Sequence, residues 1–325
     1  ILKRVVVFLF KQQPIELALR KRPIMAKALQ NILLFTSLSF LASTVVGQEL
    51  HKHFELSESR GIDKIELKVS TKAGKSFLNA VDEVEPILIL GATENDVAAS
   101  SFKIEKLQNT QKVNAELTCK SHMGLNFTES VANNIFSSSD QVHDIWQINL
   151  SEHQAFDLNL SFLMGEANVD LSRLAVERLK IKSASADVKL AYSEAIMNSV
   201  AMDTFFVKVN FGNIEVTDLN YALAKEIIAE VGFGTISIDC GSDWKMNSRV
   251  SASVGAGNLN IMLPPKEIPV IIRINNSPLC NIKMAENFEK IGHNIYGNQA
   301  YIDNPEESME FLLDVGMGNI AFKNR

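Results

Sequence analysis

From Phe156 onward the chain alternates apolar and polar residues with a period of two, breaks at a short turn bearing glycine or asparagine, and then alternates again. Phe205, Val207, Val209 and Phe211 share one side of such a run, while Phe206, Lys208 and Asn210 share the other. Later runs place Ile227, Ala229, Val231 and Phe233, then Val250, Ala252, Val254 and Ala256, then Phe311, Leu313, Val315 and Met317 on one side. A period of two predicts strands with these residues facing a core. Beyond each turn the alternation resumes, as Ile214/Val216, Ile236/Ile238, Leu259/Ile261 and Ile320/Phe322.

The turns themselves repeat. They read Gly165-Glu-Ala-Asn-Val169, Ala184-Ser-Ala-Asp-Val188, Phe211-Gly212-Asn213-Ile214, Gly232-Phe-Gly234-Thr-Ile236, Gly255-Ala-Gly257-Asn258-Leu259 and Gly316-Met-Gly318-Asn319-Ile320. Recurrence of one strand–turn–strand unit about every 20–25 residues, always in the same direction, predicts stacked parallel coils rather than a meander of hairpins. The glycines fit a corner that needs either φ > 0 or no side chain. The turn amides Asn168, Asn213, Asn258 and Asn319, replaced by Asp187 and Thr235 in two repeats, are expected to form a hydrogen-bonded ladder from coil to coil. The same alignment places Glu166 where Phe211 and Phe233 stand, and a buried lone carboxylate is costly. Glu166 is therefore expected at an open corner, or else paired.

Before residue 150 the pattern is strand-like but less regular. Residues 62–69 and 113–117 alternate, residues 86–91 read as a buried strand, and loops rich in Asn, Ser and Asp separate them. The expected fold is all-β: a single-stranded parallel β-solenoid over residues 151–325, with a β-rich N-terminal portion over 48–150.

The start of the chain reads as an address. Residues 25–47 carry Lys27, an uncharged apolar run from Ile32 to Val46, and modest residues ahead of a cut after Gly47, the parts of a secretory signal peptide. The run is shorter than the ~20 residues of a membrane span. Export with Gln48 as the mature N-terminus is expected, to the periplasm, the outer surface or the medium, without an integral span after cleavage. Residues 1–24 precede a start at Met25 and read as upstream sequence.

Composition narrows the chemistry. The formal charge of −6 leaves no basic excess for a general nucleic-acid binder, and 46% apolar residues support a sizeable core. Cys119, Cys240 and Cys280 have no zinc-type spacing; three buried thiols are expected, with one disulfide and a leftover thiol as the alternative. Among six histidines only His51 and His53 are close, and two ligands near a chain start do not define a metal site. No Gly-x-Ser-x-Gly elbow occurs, and the Gly-x-Gly turns do not open helices, which excludes a dinucleotide fingerprint. Asn-x-Ser/Thr occurs at Asn126, Asn149, Asn159 and Asn275. Outward positions before the turn are Lys182, Lys208, Glu230, Ser253 and Asp314, and after it Asp170, Lys189, Glu215, Ser237 and Asn260. Lys208 beside Glu230 and Lys189 beside Glu215 read as charge ladders, not as converging carboxylates. No catalytic, cofactor-binding or metal residue is assigned.

The phrases Met202-Asp-Thr-Phe-Phe-Val-Lys-Val-Asn-Phe-Gly-Asn-Ile214, Glu230-Val-Gly-Phe-Gly-Thr-Ile236 and Ser253-Val-Gly-Ala-Gly-Asn-Leu-Asn-Ile-Met-Leu-Pro264 resemble the toastrack, or LiaF-type and adhesin-like, domains of exported bacterial envelope proteins, especially of Bacteroidota. The resemblance covers residues 156–325. It implies a β-solenoid without known catalysis and carries over no site residue. The chain departs from the LiaF type in having no multi-span membrane segment. The function expected is a non-enzymatic envelope interaction or scaffold module with a protein or glycan partner, the alternative a solenoid polysaccharide lyase or hydrolase.

Overall fold

The computed structural model of the chain describes residues 50–57, 61–91, 100–118, 145–276, 279–306 and 308–325. The signal-like stretch 25–47, residues 1–24, the loop 133–140, Cys119, His122, His143 and Asn126 lie outside the described residues, as does the side chain of His53.

Strands dominate. In chain order they are β1 (His51–Leu56), β2 (Lys64–Thr71), β3 (Lys75–Val81), β4 (Ile87–Gly91), β5 (Ser101–Leu107), β6 (Thr110–Leu117), β7 (Ile145–Ser151), β8 (Ala155–Phe162), β9 (Glu166–Asp170), β10 (Ala175–Ser183), β11 (Asp187–Ala191) and β12 (Met202–Val209). There follow β13 (Asn213–Val216), β14 (Ala224–Val231), β15 (Thr235–Asp239), β16 (Arg249–Val254), β17 (Asn258–Met262), β18 (Val270–Asn276), β19 (Asn281–Lys283), β20 (Phe288–Gly292), β21 (Ile295–Asn298), β22 (Met309–Val315) and β23 (Asn319–Lys323). The helical turns Leu219–Ala222 and Gln299–Asp303 are short.

The protein is all-β, with two large, mostly parallel sheets. Eleven strands order as β1-β4-β7-β3-β9-β11-β13-β15-β17-β23-β19, and twelve as β20-β21-β18-β22-β16-β14-β12-β10-β8-β2-β6-β5. In every repeat the strand before the turn joins the twelve-stranded sheet and the strand after it joins the eleven-stranded one. This holds for β2/β3 as well as for β12/β13, so the irregular early strands and the regular late ones build the same two sheets. Phe205, Val207 and Val209 are buried, as are Ile227, Ala229 and Val231 one strand away, and both sheets contribute to one hydrophobic cluster. Phe311 and Phe322 meet edge to face across it at 5.8 Å, a favoured aromatic geometry.

Chain order and spatial order part at both ends. The pair β6/β7 stacks outside β2/β3, and β18/β19 stacks outside β22/β23. Antiparallel strands then finish the sheets: β5 on β6, β1 and β4 beyond β7, β20 and β21 beyond β18. End pieces of this kind cover what stacked repeats leave open.

The turns explain the glycines. A Cβ on Gly234 would collide with the carbonyl oxygen of Gly212, one on Gly257 with that of Gly234, and one on Gly318 with that of Gly257. Those carbonyls accept hydrogen bonds from Thr235, Asn258 and Asn319 of the next repeat, at 3.1, 2.9 and 3.0 Å. Close backbone approach, and not positive φ, therefore demands glycine there; of these turn glycines only Gly165 has positive φ, at 95°. Gly232, Gly255 and Gly316 are less constrained, with a Cβ 2.9, 3.2 and 3.0 Å from the nearest carbonyl oxygen.

Three expectations need correction, while the one on Glu166 holds. Phe211, Phe233 and Met317 are 58%, 67% and 62% exposed, and Ala256 is exposed too. The strands end at Val209, Val231, Val254 and Val315, so the alternation no longer applies two residues later. Instead Phe211 and Phe233 stack on the outside of the corner, 5.5 Å apart. The first repeat is displaced by two residues: Glu166, not Asn168, pairs with Asp187, and Asn168 pairs with Lys189, which removes Asp170 from that column. Glu166 is exposed and 3.4 Å from Lys75, so it is both at an open corner and paired. Finally, Cys240 is buried and free, whereas Cys280 is only half-buried. Side-chain hydrogen bonds join three pairs of turn residues. Asn213 donates to Asp187 at 2.8 Å, Asn258 to Thr235 at 3.4 Å and Asn319 to Asn258 at 2.8 Å.

Candidate functional site

The outward residues of the twelve-stranded sheet stand in columns, because paired strands, parallel from β6 to β12 and antiparallel at β5, place their outward positions side by side. Across β5, β6, β2, β8, β10 and β12 one column reads Lys103, Asn114, Lys68, Asn159, Lys180, Phe206. The column beside it reads Glu105, Lys112, Glu66, Asp157, Arg178, Thr204. Together they line a groove of about 740 Å³ on the outer face of that sheet. Five basic side chains line it against three acidic ones, in a chain whose formal charge is −6.

The two columns differ in how their charges are used. Glu66 is held by Lys112 at 3.2 Å, and Asp157 by Lys64 at 3.2 Å and by Arg178. The hydrogen bond to Asp157 holds the Arg178 guanidinium above its usual range. Lys64 is likewise raised, chiefly by its 2.9 Å bond to Glu177, against the opposing effect of burial. By contrast Lys68, Lys103 and Lys180 are exposed and have no ion-pair partner among the described residues. Lys180 Nζ lies 5.2 Å from the Phe206 ring centre, a cation–π contact. The buried side-chain carbonyl oxygen of Asn114 accepts no hydrogen bond among the described residues.

Among the described residues, other reactive groups give no comparable arrangement. Burial pushes the Cys240 thiol well up, which keeps it protonated and unreactive. Asp82, Glu152 and His153 bring ligand atoms within 4.8 Å of one another. Glu152 is however engaged by Arg173 at 3.2 Å, and the His153 ring bonds Asp82 at 2.8 Å. The outward charges singled out in the sequence fall where expected before the turn, with Lys182, Lys208, Glu230, Ser253 and Asp314 in one row. Lys208 and Glu230 form an ion pair at 2.6 Å. After the turn Lys189, Glu215, Ser237 and Asn260 align. Sequence reading missed the groove because three of its strands, β2, β5 and β6, lie before residue 150, where no repeat register could be assigned.

The model of the N-terminal domain of toast_rack (DUF2154) matches residues 46–212. The chain belongs to the toast-rack family. That match includes the early strands β1–β7, which the resemblance drawn from the late turns had left aside. All six strands that build the groove lie within the toast-rack match. Among curated proteins no match to this toast-rack chain is found. Among solved structures it is similar to a candidate cell adhesion protein from Clostridium sporogenes, with 19% identity over 85% of this chain and 100% of that one, at a TM-score of 0.41. A candidate adhesin from Bacteroides fragilis is 12% identical over 86% of this chain and 98% of that one, at 0.32. A candidate lipid-binding protein from Parabacteroides distasonis is 14% identical over 84% and 96%, at 0.31.

Proposed function

We propose that this toast-rack protein is an exported, non-enzymatic binding module of the bacterial envelope, built as one parallel β-solenoid with its groove on an outer face. The observation that carries the reading is the division of charge in the groove. Glu66 and Asp157 are each tied to a cation, while Lys68, Lys103 and Lys180 face solvent with no carboxylate partner among the described residues. Rows of side chains on a rigid sheet face suit recognition of an extended ligand. The repeated strand–turn–strand unit and its glycine column support the solenoid. The residues that resemble a signal peptide support export, and no helix among the described residues is long and apolar enough to cross a membrane.

Two measurements test this reading. N-terminal sequencing of the protein from fractionated cells is expected to find Gln48 at the start and the protein outside the cytoplasm; an uncleaved cytoplasmic chain overturns export. Incubation with acidic polysaccharides is expected to give no chain cleavage. Turnover that Glu66→Gln or Asp157→Asn abolishes, by the 10²–10⁴-fold typical of a lost acid or base, establishes the lyase or hydrolase alternative instead.

A further inference from the structure

We propose that the groove binds a linear acidic polysaccharide carrying one carboxylate per disaccharide, with the carboxylates on Lys103, Lys68 and Lys180; this rests on the reading of the groove as a binding surface. The spacing comes from the sheet. Adjacent strands are about 4.8 Å apart, and the three lysines stand on every second strand, so their bases are about 9.5 Å apart along the column. That interval is close to one disaccharide of an extended, equatorially linked glycan. It is far sparser than the charges of a nucleic acid, which offers one every ~1.7 Å of duplex.

The residues between the lysines suit the uncharged part of such a chain. Asn114 and Asn159 alternate with the lysines and offer amide donors and acceptors to sugar hydroxyls. Asn114 in particular has a buried acceptor with no donor among the described residues, which a hydroxyl would satisfy once the amide turned outward. Phe206 closes the column with a half-buried ring, a flat apolar face for the C–H side of a sugar. In the neighbouring column Lys112, Arg178 and Lys64 already hold Glu66 and Asp157, while Glu105, exposed at the β5 end near Lys103, forms no ion pair among the described residues.

The test is calorimetric titration of the purified protein with hyaluronan oligosaccharides, with their carboxyl methyl esters, and with phosphatidylglycerol vesicles, at about 0.01 M and about 0.15 M salt, where the Debye length falls from ~30 to ~8 Å. Binding is expected for the acid form, weaker at the higher salt, and absent for the ester. Lys68→Gln and Lys180→Gln should each weaken it about two- to five-fold, the range for an exposed charge contact, and Lys68→Gln/Lys103→Gln/Lys180→Gln should remove it. Lys225→Gln, whose lysine pairs with Asp203 on the same sheet face, should bind like the parent. Equal binding of the ester, no binding of the acid, or full binding by a triple variant with an unchanged melting point overturns the inference. Vesicle binding that the triple variant loses also overturns it, while leaving the groove as the binding surface. The surface reading itself fails only if the triple variant still captures every envelope component that the parent captures.

Discussion

The outer face of the twelve-stranded sheet has two halves that share a backbone and differ in every other respect. From β5 to β12 the inner column carries three exposed lysines between asparagines, and a groove runs along it. From β14 to β18 the same column continues as Ile228, Ser251, Leu312 and Arg273, and its neighbour as Glu226, Arg249 and Glu310. There the charges neutralise one another: Arg249 reaches Glu226 at 3.5 Å and Glu310 at 3.3 Å, and Arg273 reaches Glu310 at 2.9 Å. From Arg178 onward the register carries both columns from strand to strand, so the scaffold sets where side chains stand and the sequence sets whether a column's charges pair with one another or face solvent. The apolar residues sit on the buried face, and the unpaired lysines stand in one outward column.

Breaking the shared scaffold should have the largest effect. Gly234→Ala drives a methyl group into the Gly212 carbonyl and should destabilise both halves together by about 3 kcal/mol or more, whereas Gly255→Ala, with its nearest carbonyl oxygen 3.2 Å away, should cost about 1 kcal/mol. Denaturant midpoints of the two variants decide it; equal losses mean that the glycine column does not set the stacking.

A middle-sized effect should appear in the self-paired half. Burial pushes the Glu310 carboxyl up, but hydrogen bonds from Arg273 and Arg249 outweigh it and hold the group below its ordinary range. A carboxyl with a depressed folded-state pKa contributes stability that is present above its unfolded pKa and is lost as pH falls through the folded value. Glu310→Gln should therefore cost about 1 kcal/mol at pH 7, and the difference from the parent should close as pH falls below about 4. Thermal melts at both pH values check this, and a pH-independent difference contradicts it.

The smallest effect belongs to the border between the halves. Lys208 and Glu230 pair at 2.6 Å but are 41% and 38% exposed, so Lys208→Ala should change stability by no more than about 0.5 kcal/mol. A larger loss in urea unfolding would show that outward ladders support the stack more than exposed ion pairs usually do.

Much of this was legible along the chain. Alternation at Phe205, Val207 and Val209, and its return at Ile214 and Val216, required strands with one buried face, because side chains on a strand alternate and apolar area must leave water. Repetition of the turn at Gly212, Gly234, Gly257 and Gly318 required parallel stacking with like residues above like, and the row from Lys182 to Asp314 was readable from that alone. Three-dimensional structure decided the rest. Whether Phe211 and Phe233 faced the core depended on where the strands stopped, and that is set by the corner, not by the period. Stacking of β6/β7 outside β2/β3, and of β18/β19 outside β22/β23, follows from which strand edges lay open, a property of the assembled sheets that no local spacing encodes. The lysine column could emerge only then, since Lys103, Lys68 and Lys180 come from separate parts of the chain and become neighbours solely through the hydrogen-bond register that joins their strands.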